Sequence, residues 1–287
     1  MNRKTSKLAW IVLVPALTVF FLFHTLPLLQ GIFYSFTNYR GYGDWDFVGL
    51  SNYIGVFRDS RVGSAYSFTL LFSVLSTILV NVFSILIALG LNAKIKFHKT
   101  LRAVYFIPYM LATLIIGYVF SFIFSQFLPE IGQLLNIEWL QFNILGNPDL
   151  AWIGIVVVAV WQATAFNTIL YLAGLVTIDP DLYEAADIDG ANAFTKFFRI
   201  TLPLIMPFFT INMVVAMKNF LMVFDQIVAL TGGGPGTSTE SVSLVIYRGG
   251  FQGGQFAYQS ANAVVFFIII VVISLFQIRV LERRQED

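Results

Sequence analysis

Six apolar runs, each longer than the roughly 20 residues a helix needs to cross hydrocarbon, leave this chain few folds to choose from. They cover about 8–33, 67–93, 101–127, 151–178, 204–230 and 256–278. None shows the in-out alternation of a barrel strand, and only helices and closed barrels satisfy their own backbone in lipid. The fold class expected is an all-α integral membrane protein with six transmembrane helices. Composition agrees: 57% of the 287 residues are hydrophobic, 11% are charged and 30 are Phe. A water-soluble fold of that composition would expose apolar patches that soluble monomers avoid.

The first run follows Arg3, Lys4 and Lys7 as a secretory signal would. It is too long for one and no small-residue cleavage site follows, so a retained anchor is expected. With the N-terminus inside, the inner side carries Arg3, Lys4, Lys7, Lys94, Lys96, Lys99, Arg102, Lys196, Arg199, Arg279, Arg283 and Arg284. The outer side then carries only Arg40, Arg58, Arg61 and Arg248. That asymmetry follows the positive-inside rule, and six spans return the C-terminus to the same side.

Several chemistries are excluded. With no cysteine there are no disulfides, thiolate nucleophiles or zinc-thiolate sites. No basic patch suggests nucleic acid. His24 and His98 fall at different membrane depths, so no metal site is expected. Gly41-Tyr42-Gly43-Asp44 spells the G-x-G-D of intramembrane aspartyl proteases, but in a turn-rich external loop without a facing carboxylate. No Gly-Lys pair exists, so the chain lacks a phosphate-cradling loop; neither a bound cofactor nor catalysis by this chain itself is expected.

One charged stretch interrupts the apolar sequence: EAADIDGANAFTKFFRITLPLIMP, residues 184–207. Upstream, Asp179 suits an N-cap, Pro180 the first helical position, and Asp181 the positive end of the helix dipole. A short helix is expected through Glu184, Ala185 and Ala186, ended by Gly190 in the left-handed conformation. A second helix carries Phe194, Phe197 and Phe198 on one face, and Pro203 blocks its continuation. Two readings compete. The stretch is an amphipathic linker on lipid headgroups, or a socket for a protein partner. Acidic residues and small alanines on the first helix suit the socket better.

The residues Glu184-Ala185-Ala186, Asp189-Gly190-Ala191 and Ile200-Thr201-Leu202-Pro203 resemble the EAA loop of ABC importer permeases. FVGLSNYIGVF at 47–57 and DQIVALTGGGPGTST at 225–239 resemble the sugar-type members, which import oligosaccharides and glycerol phosphates. The resemblance implies a type I ABC importer permease fold, with the whole chain, 1–287, a single transmembrane domain and both termini cytoplasmic. It implies a loop at 179–203 that couples to a separate ATPase through Glu184, Ala185, Ala186, Asp189, Gly190, Ala191, Phe194, Leu202 and Pro203. Nucleotide-driven closure of that ATPase pair would tilt the coupling helices and switch the pathway. ATP and Mg would be held by the partner. The expected assembly contains a second, different permease subunit, two ATP-binding subunits and an extracytoplasmic sugar-binding protein. It would sit in the lipid of a bacterial or archaeal cytoplasmic membrane.

Uncharged polar residues within spans are the candidates for a sugar pathway. Trp161, Thr164, Asn167 and Tyr171 share one face of the fourth span; Asn212, Asn219 and Gln226 recur every seven residues in the fifth, beside Phe220 and Phe224. Helix packing through hydrogen bonds accounts for such residues equally well. Lys218 needs water or a partner, because a charge within a span costs roughly 2.5–3.5 kcal/mol. Asp225 lies two turns further, about 10 Å along a helix, too far for contact. Either both face a hydrated cavity or their partners lie on another chain. In the 231–255 loop, GGGPG is a flexible outer turn or a specific feature, and 242–247 suits a short re-entrant or interfacial helix. A rival function is an ion-coupled secondary sugar transporter or channel using Lys218 and Asp225. Such proteins often contain inverted repeats, and none is evident here. A non-transporting adaptor is a third reading.

Overall fold

The structure, a computed structural model, describes residues 13–93 and 97–286, the side chains of 98, 99 and 282–286 excepted. Arg3, Lys4, Lys7, Lys94 and Lys96 lie outside the described residues, as does the start of the first run.

The described chain is helical, with one isolated antiparallel bridge, Thr37 to Phe47, and no strand. Its longer and better-defined helices are α1 (Leu13–Tyr34), α2 (Ser51–Arg58), α3 (Ser60–Asn92), α4 (His98–Met110), α5 (Thr113–Leu134) and α6 (Ala151–Val176). Then come α7 (Pro180–Ile188), α8 (Ala193–Leu204), α9 (Met206–Leu221), α10 (Asp225–Leu230), α11 (Val242–Tyr247) and α12 (Phe256–Glu286). Five are individually long and apolar enough to cross a membrane, and the bent pair α8–α9 makes a sixth.

Two compact units divide the chain. One comprises residues 1–63 and 245–268. Here the segment after α1 is folded by side chains: Asn52 donates from Nδ2 to the carbonyls of Ser35 (2.8 Å) and Thr37 (2.7 Å). Tyr34 stacks on Tyr39 with ring centroids 4.4 Å apart. Asp59 caps α3, accepting from the Arg61 amide at 2.9 Å, while its other oxygen accepts from the Tyr258 hydroxyl at 3.0 Å. No residue of the apolar window of α1 is buried by the chain itself, which suits a helix facing lipid or another subunit.

The other unit, residues 64–244 and 269–287, holds the main core around Phe72, Val80, Ile155, Val158, Phe220 and Ile227. Small residues let helices approach closely here. A Cβ on Gly117 of α5 would collide with that of Ala229 in α10, and one on Gly174 would lie 2.7 Å from the Phe208 ring.

Two expected continuities fail and one expected break does not occur, each for a local reason. The run at 101–127 breaks at Leu111 and Ala112, both extended, between α4 and α5. The run at 204–230 ends as a helix at Leu221; Phe224 at φ −139°, ψ −61° leaves the helical region and α10 starts afresh. Pro203 does not end α8, because a wide turn over Phe197–Thr201 accommodates it. The bend of 72° falls at Ile205 instead, ahead of Pro207, which has no amide to continue the ladder.

Candidate functional site

The two breaks meet at one cavity of about 450 Å³. Leu111, Ala112 and Thr113 line it from the first break, and Phe220, Val223 and Gln226 from the second. Non-helical backbone at membrane depth is tolerated where it lines a cavity or is buried in protein. The freed groups here have named partners. Gln162 of α6 donates from Nε2 to the Leu111 carbonyl and to Thr113 Oγ1, each at 3.3 Å, and Ser241 Oγ donates to the Val223 carbonyl at 2.9 Å.

Gln162 and Asn167, 7% and 4% exposed, both line the cavity. Each donates elsewhere, Asn167 to the Ala163 carbonyl at 2.8 Å, and each keeps a buried carbonyl oxygen, Gln162 Oε1 and Asn167 Oδ1, without a donor. Asn219 and Tyr109 add further polar groups, and Tyr109 stacks on Phe166 at 4.9 Å. The result is a half-polar chamber with two aromatic rings in its wall and two lining residues whose buried oxygens lack a donor. That is the chemistry a hydroxyl-rich solute requires.

The structure separates the remaining candidates. Tyr171 is fully buried and donates to Asn81 Oδ1 at 2.6 Å, while the Thr164 hydroxyl is bonded to the Val160 carbonyl in its own helix. Asn212, also fully buried, donates to the Asn167 carbonyl at 3.3 Å. Tyr171 and Asn212 thus join helices, while the Thr164 hydroxyl bonds only within its own. Trp161 and Thr164 face an apolar groove rather than the cavity. Lys218, Asp225 and Phe224 do not line it either, and both charged residues are exposed. Sequence reading passed over Gln162, Tyr109 and Thr113. Gln162 was the readable one, an uncharged polar side chain within a span, beside Trp161.

The loop forms a helical hairpin. Asp179 caps α7, accepting from the Asp181 amide at 3.0 Å, and Asn192 caps α8, accepting from Thr195 at 2.8 Å. Gly190 has φ +73°. The Ala191 amide reaches the Ala186 carbonyl at 2.9 Å and that of Gly190 the Asp187 carbonyl at 3.1 Å. This paired pattern is the Schellman termination that a left-handed glycine permits. An ion pair between Lys196 and Asp187 ties the two helices, and the Tyr183 hydroxyl meets Thr201 Oγ1 at 2.8 Å. Ala186 is buried; Glu184, Ala185, Asp189 and Pro203 are exposed, and Ala191 and Leu202 half-buried. Ile188 and Phe194 stand out most, 87% and 73% exposed.

Residues 80–287 match the family described as binding-protein-dependent transport system inner membrane component. A multiple sugar-binding transport system permease protein, MsmF, of Streptococcus mutans is 39% identical over 271 residues, 94% of this chain and 93% of that one. A trehalose/maltose transport system permease protein, MalF, of Thermococcus litoralis is 33% identical over 98% of this chain and 95% of its own length. The crystal structure of a bacterial ABC transporter that imports alginate contains a chain of the same fold, with TM-score 0.84 and 24% identity, covering 98% of this chain and 96% of that one. With its multiple apolar helices, its helical hairpin and these relatives, the chain belongs to the inner membrane components of binding-protein-dependent transport systems.

Proposed function

We propose that this chain is one permease subunit of an ATP-driven importer of a carbohydrate, in the oligosaccharide size range, and that the cavity between the broken spans is its sugar site. The observation that carries the reading is the pair of buried, donor-less oxygens on Gln162 and Asn167, two residues that line a chamber with Tyr109 and Phe220 in its wall. Sugar hydroxyls would donate to those oxygens, and apolar sugar faces would lie on the rings. The curated relatives serve multiple sugars and trehalose/maltose by name, which supports the same substrate class here.

The hairpin α7–α8 is the handle for an ATPase subunit. Glu184, Ala185, Asp189, Gly190 and Ala191 lie in or just after α7, while Ile188 and Phe194 offer apolar knobs for a groove in the partner. On this reading the hairpin, both termini and the cluster around Arg102 are cytoplasmic. ATP and Mg sit on two partner subunits, and a sugar-binding protein delivers substrate to the opposite face. The lone ammonium of Lys218, exposed on an apolar span, favours a second permease chain beside it over lipid; that this chain is a different one is what the family resemblance implies.

The test is uptake of labelled oligosaccharides by the assembly reconstituted with its ATPase and binding protein. Import that persists after proton and membrane potentials are collapsed, and stops without ATP, supports the reading. Import that follows the gradient instead identifies an ion-coupled transporter. Glu184→Lys should abolish co-purification of the ATPase; undiminished recovery would remove the hairpin from the coupling role.

A further inference from the structure

A second feature lies on the other side of α6, away from the sugar cavity. Two contiguous spaces, of about 540 and 380 Å³, share Tyr105 and Ala165 and form one groove between α3, α4 and α6. One end holds Arg102 beside Leu172 and Val176; the other holds Val156, Val157 and Leu79. The α6 residues that line it run from Val176 to Val156, twenty residues and roughly 30 Å of helix. A lipid of one leaflet, half of a bilayer of about 40–45 Å, fits within that length.

Its chemistry changes along that length. Arg102 donates from Nη2 to the Leu91 carbonyl at 3.3 Å, but its Nε is buried without a partner. Four residues deeper than Leu172, about 6 Å by helix rise, Thr168 is 2% exposed and its hydroxyl also lacks a partner. No acidic side chain lines either space. Beyond Thr168 the walls are apolar except for Thr164, whose hydroxyl is bonded in its own helix, and the exposed Phe83 and Val157 leave them open to the side. Lys94, Lys96 and Lys99 precede Arg102 in the sequence.

We infer that this groove is a built-in site for one anionic phospholipid. Its phosphate accepts from the Arg102 guanidinium, and one acyl chain lies along α3 and α6 as far as Val157. A guanidinium between membrane helices, in a basic stretch of the sequence, is a recognised setting for anionic headgroups. Free phosphate would satisfy Arg102 and leave the apolar length empty. A second protein chain would have to bring both an acid and a strip of apolar side chains of leaflet length. The lipid supplies all of these in one molecule. Because α4 and α6 line the groove on one side and the sugar cavity on the other, the acyl chain would act as a filler that holds the two helices in place.

The test is native mass spectrometry of the full assembly, purified with its partner chains in mild detergent. Wild type should retain one phospholipid that survives washing, and Arg102→Gln should lower its occupancy at least fivefold. Arg102→Lys should keep most of it, since a point charge still holds a phosphate. Ala173→Trp, at an exposed position in the groove, should exclude the lipid while leaving Arg102 intact. After delipidation, phosphatidylglycerol should restore wild-type occupancy, and inorganic phosphate or phosphatidylcholine should not. Equal retention in wild type and both disruptive variants would overturn the site. So would competition by inorganic phosphate, or loss of a permease partner from the variants with lipid content unchanged, which would make the groove a protein interface.

Discussion

A buried amide oxygen without a donor costs on the order of 1–3 kcal/mol, and this chain has two, Gln162 Oε1 and Asn167 Oδ1, in residues that line one cavity. The two side chains are not equivalent. Gln162 also holds the carbonyl freed at the first helix break, so its removal disturbs the cavity wall, whereas the Asn167 amide only returns to its own helix. Asn167→Ala is therefore the cleaner probe. Losing one sugar hydrogen bond of about 0.5–1.5 kcal/mol should raise the KM for transported sugar about two- to thirteenfold, with basal ATP hydrolysis unchanged. Gln162→Ala should do the same and lower the melting temperature as well. Gly190 makes a second residue-scale case, because a Cβ there would touch nothing and its constraint lies wholly in the backbone. Alanine at φ +73° costs about 1–2 kcal/mol. Gly190→Ala should weaken ATPase recovery, while Gly190→Asn, which tolerates that conformation, should stay near wild type.

The hairpin shows how an element is held and how much of it could be read. Its caps at Asp179 and its glycine turn at Gly190 follow from local chemistry, so residues alone place them. The Lys196–Asp187 pair is tertiary and was invisible, although both residues stood in the quoted stretch. Asp187 is 66% exposed, so the pair belongs with surface ion pairs worth about 0.2–1 kcal/mol. A double-mutant cycle on hairpin stability with Asp187→Ala and Lys196→Ala should return a coupling energy inside that range, shrinking as salt rises. A larger, salt-independent value would mean that the pair is shielded in the assembly. The same contrast explains the spans. Apolar length announced the helices, but hydropathy does not register backbone continuity, so the breaks at Leu111–Ala112 and Met222–Phe224 were missed. With them went the cavity they create. The seven-residue spacing of Asn219 and Gln226 pointed to the right residues for an incomplete reason: both line the cavity, yet from separate helices.

Across the whole chain, apolar surface left uncovered by the protein is the dominant fact. Most of it suits lipid, as along α1, where Phe23 is 79% exposed. Lys218 does not suit lipid. It is exposed on α9, and neither Asp225 nor any other described carboxylate pairs with it. If a second permease chain supplies the partner, Lys218→Met should have opposite effects at two levels. The isolated chain would insert more readily, since a charge of roughly 2.5–3.5 kcal/mol insertion cost is gone. The assembled pair would weaken, because the partner's acid would be left buried and alone. Insertion assays on the single chain, set beside recovery of the second permease on affinity purification, read the two effects separately. Improved insertion together with undiminished pairing would put Lys218 in water rather than against a subunit, and the case for a charged seam between the two permeases would fail.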